Sequence, residues 1–164
     1  MPTRIALTGA TGFVGRALLP LLLGAGYDVR ALVRNPECAD LDKRISVVKG
    51  GLSDAWALVQ LTENADVVLH VAGVVAGLAR QDFFAPNVDG TVALAEAAQC
   101  NGVKQFIYVS SLAAKVPLLN NYAASKAAAE AALQNYAAKM CLTILRPAAV
   151  YGPDDTATLP LLKS

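Results

Sequence analysis

Cysteine is scarce and scattered in this chain of 164 residues. Cys38, Cys100 and Cys141 are odd in number and lack ligand spacing, so neither a disulfide framework nor a cysteine metal centre is expected. The single histidine, His70, has no carboxylate near it in sequence to orient it and is read as structural rather than catalytic, and no metal site is expected. An excess of one charge is also missing. Fourteen Lys and Arg stand against thirteen Asp and Glu, with no basic stripe, which argues against nucleic acid and anionic membrane as partners. Long hydrophobic runs are absent too: the longest apolar stretches, 17–27 and 67–79, are too short to span a bilayer. There is no internal repeat and no low-complexity linker. With the first strand predicted almost from Met1, no secretory leader is expected. From these absences one cytoplasmic domain is expected, without nucleic acid or membrane as a partner.

What the chain does have is apolar surface, 55% of residues with a mean hydropathy of +0.43, much of it alanine. Short apolar runs alternate with helical ones. Strands are predicted at 3–8, 28–33, 45–49, 66–71, 105–110 and 141–146. Helices are predicted at 13–24, 53–61, 87–100 and 122–138, with a looser segment near 77–84. Strands apolar on both faces and separated by helices imply a parallel sheet covered on both sides. Gly24 and Gly26 are expected to close the first helix, Gly102 the one ending near Cys100, and Ser53 to cap the short helix that contains Trp56.

The opening stretch organises the rest. Strand residues Ile5 to Thr8 run into Gly9, Gly12 and Gly15, and then into the helical run from Ala17 to Leu23. A buried strand, a glycine turn and a helix start present bare N–H groups and a positive helix end to an anion. A diphosphate suits that turn, so Thr8, Gly9, Thr11, Gly12, Phe13, Val14 and Gly15 are candidate dinucleotide ligands. A plain packing turn would read the same in isolation.

The second strand, Val29 to Val33, is followed by Arg34. Val33 stands where a ribose-binding acid is expected, and Arg34, with Arg16 as a second positive charge, suits a 2′-phosphate; NADP is favoured over NAD. At the end of the fourth strand the small Ala72 and Gly73 would let a cofactor lie against the backbone.

Chemistry gathers later. Ser110 and Ser111 end the fifth strand, and Tyr122 opens an alanine-rich helix with Lys126 one turn on, an i, i+4 pair on one face. A phenol with a pKa near 10 is a poor acid or base at neutral pH, and a neighbouring ammonium lowers it. Tyr122 would then exchange a proton with a substrate oxygen held by Ser111. Taken alone, such a pair also fits an ordinary surface contact.

In order, Thr8 to Gly15, Asn87-Val88-Asp89-Gly90-Thr91, Val109-Ser110-Ser111, Tyr122-Ala-Ala-Ser-Lys126 and Arg146 to Pro153 resemble the extended short-chain dehydrogenase/reductase family, the NAD(P)-dependent epimerases, dehydratases and reductases. The resemblance implies a Rossmann-type doubly wound sheet of order 3-2-1-4-5-6. It also implies an NAD(P)-binding domain over 1–150 and, over 151–164, the start of a connection to a substrate lobe. By it, Ser111, Tyr122 and Lys126 are the catalytic triad, with Asn87 supporting the proton relay. Lys126 and Tyr122 would also contact the cofactor, as would Leu52, Pro147 and Val150. A carbonyl or secondary alcohol is the implied substrate, nucleotide sugars included. A non-catalytic NADP(H) sensor or assembly subunit is the alternative, and a purely structural domain a third. A homodimer through helices 87–100 and 122–138 is also implied, with Leu133 and Tyr136 on an apolar stripe.

Three features depart from the family pattern. Gly51 replaces an acidic adenine contact. The segment from Ser111 to Tyr122 is short, as in the branch related to a respiratory complex I subunit and to NmrA-like redox sensors. The chain stops at Ser164, before the substrate lobe, with apolar Leu159 to Leu162 expected to lack a packing partner and one sheet edge expected to lack its usual last strand.

Overall fold

Strands this short and apolar need a cover on each face, and the chain supplies it by alternating strand with helix. The computed structural model describes residues 2–152, apart from the Cys38 side chain. Six strands form one sheet: β1 (Arg4–Thr8), β2 (Asp28–Val33), β3 (Ser46–Lys49), β4 (Val67–His70), β5 (Gln105–Val109) and β6 (Cys141–Leu145). All neighbours are parallel and the order is β3-β2-β1-β4-β5-β6, as expected. Ile5 sits between Val29 and Val67 in register, which makes β1 the central strand. The order reverses beside β1, so its carboxyl end and that of β4 frame the crevice where such sheets bind ligands.

The helices are α1 (Phe13–Gly24), α2 (Ala55–Thr62), α3 (Arg80–Phe84), α4 (Gly90–Cys100) and α5 (Asn121–Leu133). One core packs α2, α4 and α5 on Ala6, Val68, Phe106 and Tyr108; the other packs α1 on Leu7, Val29, Ala31 and Leu69. Side chains alternate along β5, so Phe106 and Tyr108 are buried under α5 while Ile107 and Val109, on the α1 side, are only partly covered. Among the described residues, no helix is long and apolar enough to cross a membrane.

The elements differ from expectation in four places. Asp54, not Ser53, caps α2: helical geometry starts only at Ala55, so it is the Asp54 carboxylate that accepts from the Ala57 N–H, at 3.1 Å. The helix expected from 87 starts at Arg80 and runs into α4 through a π-helical turn, Ala85–Asp89, placing Asn87 inside a helix rather than at its start. Pro86 has no N–H to give the regular helical ladder, and a widened turn accommodates that loss. The last helix begins at Asn121, capped by Asn120, and ends at Leu133 in a 3-10 turn rather than at 138. Leu133 is buried in the sheet core with Tyr136 packed beside it, so the apolar stripe these two form faces the sheet. The apolar run Leu159 to Leu162, Pro153 and nearly all of the expected connection 151–164 lie outside the described residues.

Candidate active site

The glycine turn is built from backbone. Gly9 has φ +79°, and a Cβ on it would stand 2.6 Å from the Ala72 nitrogen. Gly15 is buried, and a Cβ there would lie 2.0 Å from the Gly9 carbonyl oxygen. Both positions therefore exclude any side chain, and the turn closes with the Gly12 N–H donating to the Gly9 carbonyl at 3.0 Å. Asp54 caps α2 and Asn120 caps α5 through their side chains, whereas α1 begins at Gly12 with no side-chain cap and no acid in its first turn. Its first N–H groups stay available to an anion at the carboxyl edge of β1. This cradle fits the diphosphate of a dinucleotide. Thr11 is exposed at its rim, and Phe13 and Val14 are half-buried in the first turn of α1. Phe13 also borders Gly152, which brings the stretch after β6 back to the turn.

Thr8 ends β1 facing inward. Its Oγ1 is 2.6 Å from His70 Nδ1 and accepts from the Ala72 N–H at 3.3 Å. His70 Nε2 is 2.8 Å from Thr91 Oγ1, so both ring nitrogens are occupied. Burial, with the nearby Lys126 charge, pushes the imidazole down to about 3 and keeps it neutral. His70 thus has the structural partners expected of it, here hydroxyls.

At the nucleoside end, Arg34 is exposed just past β2, and its Cγ would stand 3.7 Å from a Cβ on Gly51. Val33 is buried, so no carboxylate occupies its place. Glu37, the acid that follows, is paired with Lys49 at 2.7 Å. Arg16 is exposed on the first turn of α1. Leu52 packs against Gly90 at the start of α4.

The other half of the crevice is built from side chains. Lys126 is 4% exposed, and its Nζ donates to the Val109 carbonyl at 3.1 Å and lies 4.8 Å from the centre of the Tyr108 ring. Burial pulls its ammonium down to about 8. A Cβ on Gly73 would stand 3.0 Å from Lys126 Nζ and 3.3 Å from Asn87 Oδ1, so these three positions converge. Asn87 Oδ1 accepts from the Val74 N–H at 2.8 Å, while its Nδ2 donates to the Val74 carbonyl at 2.9 Å and to Ser125 Oγ at 3.0 Å. The Ser125 hydroxyl donates on to the Tyr122 carbonyl at 2.8 Å, which fixes the first turn of α5. Ser111 Oγ accepts from the Ala113 N–H at 3.2 Å, leaving its own hydroxyl hydrogen to donate. The Pro147 carbonyl accepts from the Leu112 N–H at 2.8 Å, tying the stretch after β6 to the Ser111 loop; Val150 is exposed.

Tyr122 is half-buried, and its hydroxyl makes no hydrogen bond among the described residues. It lines a 320 Å³ cavity with Val75, Gly77, Phe83 and Asn120. The loops around it carry exposed Val75, Leu78, Val116, Leu118 and Leu119. Sequence reasoning missed Glu130 and gave Ser110 no role beyond ending the fifth strand. Glu130 is 8% exposed, accepts from the Ser110 hydroxyl at 2.5 Å, and pairs with Arg146 at 2.6 Å. Its signal was one acid at i+4 from Lys126 in a helix otherwise rich in alanine.

The chain matches the family model described as NAD dependent epimerase/dehydratase family over residues 5–162. It is 46% identical to a ceramide reductase of Caulobacter vibrioides over 97% of its length and 50% of that protein. A 4-hydroxy-2-methyl-3-oxo-4-farnesyl-3,4-dihydroquinoline-1-oxide ketoreductase of Stigmatella aurantiaca is 32% identical over 97% of this chain and 54% of its own. The chain spans about half the length of these curated relatives. In fold it is similar to an NAD-bound short-chain dehydrogenase/reductase superfamily protein from Agrobacterium tumefaciens, with a TM-score of 0.78 and 27% identity over 87% of this chain and 48% of that one.

Proposed function

The chain belongs to the NAD dependent epimerase/dehydratase family, and from that premise we propose that it takes part in NADP(H)-dependent reduction of a ketone in an apolar substrate, with Tyr122 as the proton donor. The observation that carries this reading is the buried Lys126 ammonium, held at the carboxyl edge of β5 one helical turn from a free Tyr122 hydroxyl. Held at the glycine turn from Gly9 to Gly15, a reduced nicotinamide cofactor would supply the hydride for the carbonyl carbon. Ser111 donates a hydrogen bond to the carbonyl oxygen and polarises it. Tyr122 passes its proton to that oxygen as the carbonyl becomes an alcohol, and the Lys126 charge stabilises the phenolate left behind. Asn87 acts by holding Val74 and Ser125, which set the mouth of the site and the turn that bears Tyr122.

The substrate class rests on the apolar loops beside Tyr122 and on the two relatives named for reductions of a ceramide and a farnesylated quinoline. A nucleotide sugar, which family membership alone would favour, is the competing substrate. NADP preference rests on Arg34 and on the buried Val33 where an acid would sit. A homodimer through the α4 and α5 helices is part of the same reading; Ala124, Ala127 and Ala128 line an open 620 Å³ cleft on α5 with Arg80 and Phe84. Sedimentation showing only monomer at micromolar concentration removes it.

The test is oxidation of NADPH, followed at 340 nm, with long-chain 3-oxo amides and with UDP-sugars. Turnover with the former is expected. Turnover with UDP-sugars alone reverses the substrate class, and NADPH binding without turnover supports a sensor instead.

A further inference from the structure

Glu130 is a buried carboxylate that the reaction described above does not use. It lies one turn beyond Lys126 on α5, and three elements meet on it. Ser110, the residue before Ser111, donates its hydroxyl to Glu130 Oε1 at 2.5 Å. Arg146, just past β6 and just before Pro147, binds both carboxylate oxygens, with Nε at 2.9 and 3.1 Å and Nη2 at 2.6 Å. A buried charge that lost these partners would be costly, so the cluster has one favourable arrangement.

We propose that Glu130 is the positioning residue of this site, tying the ends of β5 and β6 to α5 and placing a counter-charge one helical turn from the Lys126 ammonium. The inference rests on the proposed roles of Tyr122 and Lys126. Its geometric content is that the segments bearing Ser111, Lys126 and Pro147 all lead into one carboxylate.

The groups facing Lys126 define what Glu130 must do. On α5 they are Tyr122 and Glu130. From β4 comes His70, which is neutral, and from β5 the Tyr108 ring and the Val109 carbonyl. The π-helical turn contributes the uncharged Asn87, and Arg146 stands behind Glu130. Among the described residues, Glu130 is therefore the one permanent negative charge in this surround. Burial acts against the ammonium, and the Glu130 charge opposes that effect. Arg146 tempers it by sharing the carboxylate, while holding Glu130 ionised against the pull of burial.

The two partners therefore act on Lys126 in opposite directions, which a purely mechanical brace would not do. The experiment titrates Lys126 directly, by ¹³C NMR of the lysine ε-carbons in the whole chain, with the signal assigned by its loss in Lys126→Met. Glu130→Gln, which keeps shape and an acceptor for Ser110, is expected to lower the Lys126 midpoint by about half to one pH unit. Arg146→Met, which leaves the Glu130 charge unshared, is expected to raise it. The basic limb of NADPH-dependent turnover should follow the same two directions. Unmoved midpoints, or midpoints displaced the same way in both variants, overturn the proposal. Should Glu130→Gln fail to fold, the direction seen in Arg146→Met, at a side chain 43% exposed, decides alone. The titration needs no turnover, so it stands apart from the test of Tyr122.

Discussion

The two halves of the crevice are made of different material. The half around β1 is backbone: a glycine at φ +79°, a second glycine with no room for a Cβ, and an uncapped helix start, all within eight residues of sequence. The half around β5 is side chains: Asn87, Ser111, Tyr122, Lys126 and Glu130 come from three segments and are held by hydrogen bonds spanning up to 38 residues. Backbone recognition tolerates no substitution where atoms touch but makes few demands elsewhere. Side-chain chemistry tolerates shape changes but depends on charge and burial. On the proposed function, one half would hold a ligand and the other would change one.

Four substitutions probe that division. The largest effect is expected for Tyr122→Phe, which removes only the proton donor. Its kcat should fall by about a thousandfold while the Kd for NADPH stays constant, measured by stopped-flow and by calorimetry. A parallel loss of cofactor binding would erase the boundary between the halves. Next comes Gly15→Val, whose new Cβ meets the Gly9 carbonyl at 2.0 Å. It should cost about 3 kcal/mol of stability or more and abolish NADPH binding, read by thermal melting and calorimetry.

Lys126→Met sharpens the contrast by separating stability from activity. The folded-state value of Lys126, about 8, lies below the ordinary 10.5 because of burial. The unfolded chain thus carries the extra proton between about pH 8 and 10.5. Stability from this group rises with pH across that window and is at its lowest below pH 8. Replacing the ammonium by an apolar side chain should stabilise the fold at pH 7 by about 1–3 kcal/mol while abolishing turnover, and the advantage should shrink above pH 8. A lower melting temperature at pH 7 would show that the ammonium is a net support.

The smallest effect is expected where the backbone half is supplemented by a charge. Arg34→Ala should weaken NADPH binding about tenfold and leave NADH binding within a factor of two, a difference of about 1.4 kcal/mol. Equal loss for both cofactors would mean that Arg34 reads no phosphate.

The same division explains what could be read early. The strands, the glycine turn and the first helix followed from local rules, because short apolar runs and three close glycines are properties of neighbours in sequence; the strand order came from the family resemblance. The start of the helix bearing Asn87 was misplaced because Pro86 sits inside a π-helical turn that packs against α5 and is tied to Val74 and Ser125 through Asn87. Asp54 displaced Ser53 as a cap by one residue, a choice set by where helical dihedrals begin. Leu133 was placed on an apolar stripe whose partner stayed open, because an alanine-rich helix leaves its buried face ambiguous.

The sequence by itself determined an α/β chain with a dinucleotide turn at its start and a Tyr-Lys pair on one helix face. Tertiary structure alone decided that Lys126 is buried, that His70 is neutral between two hydroxyls, and that Glu130 joins Ser110 to Arg146. Periodicity and spacing act along the chain, whereas desolvation and charge pairing arise only when distant segments exclude water together.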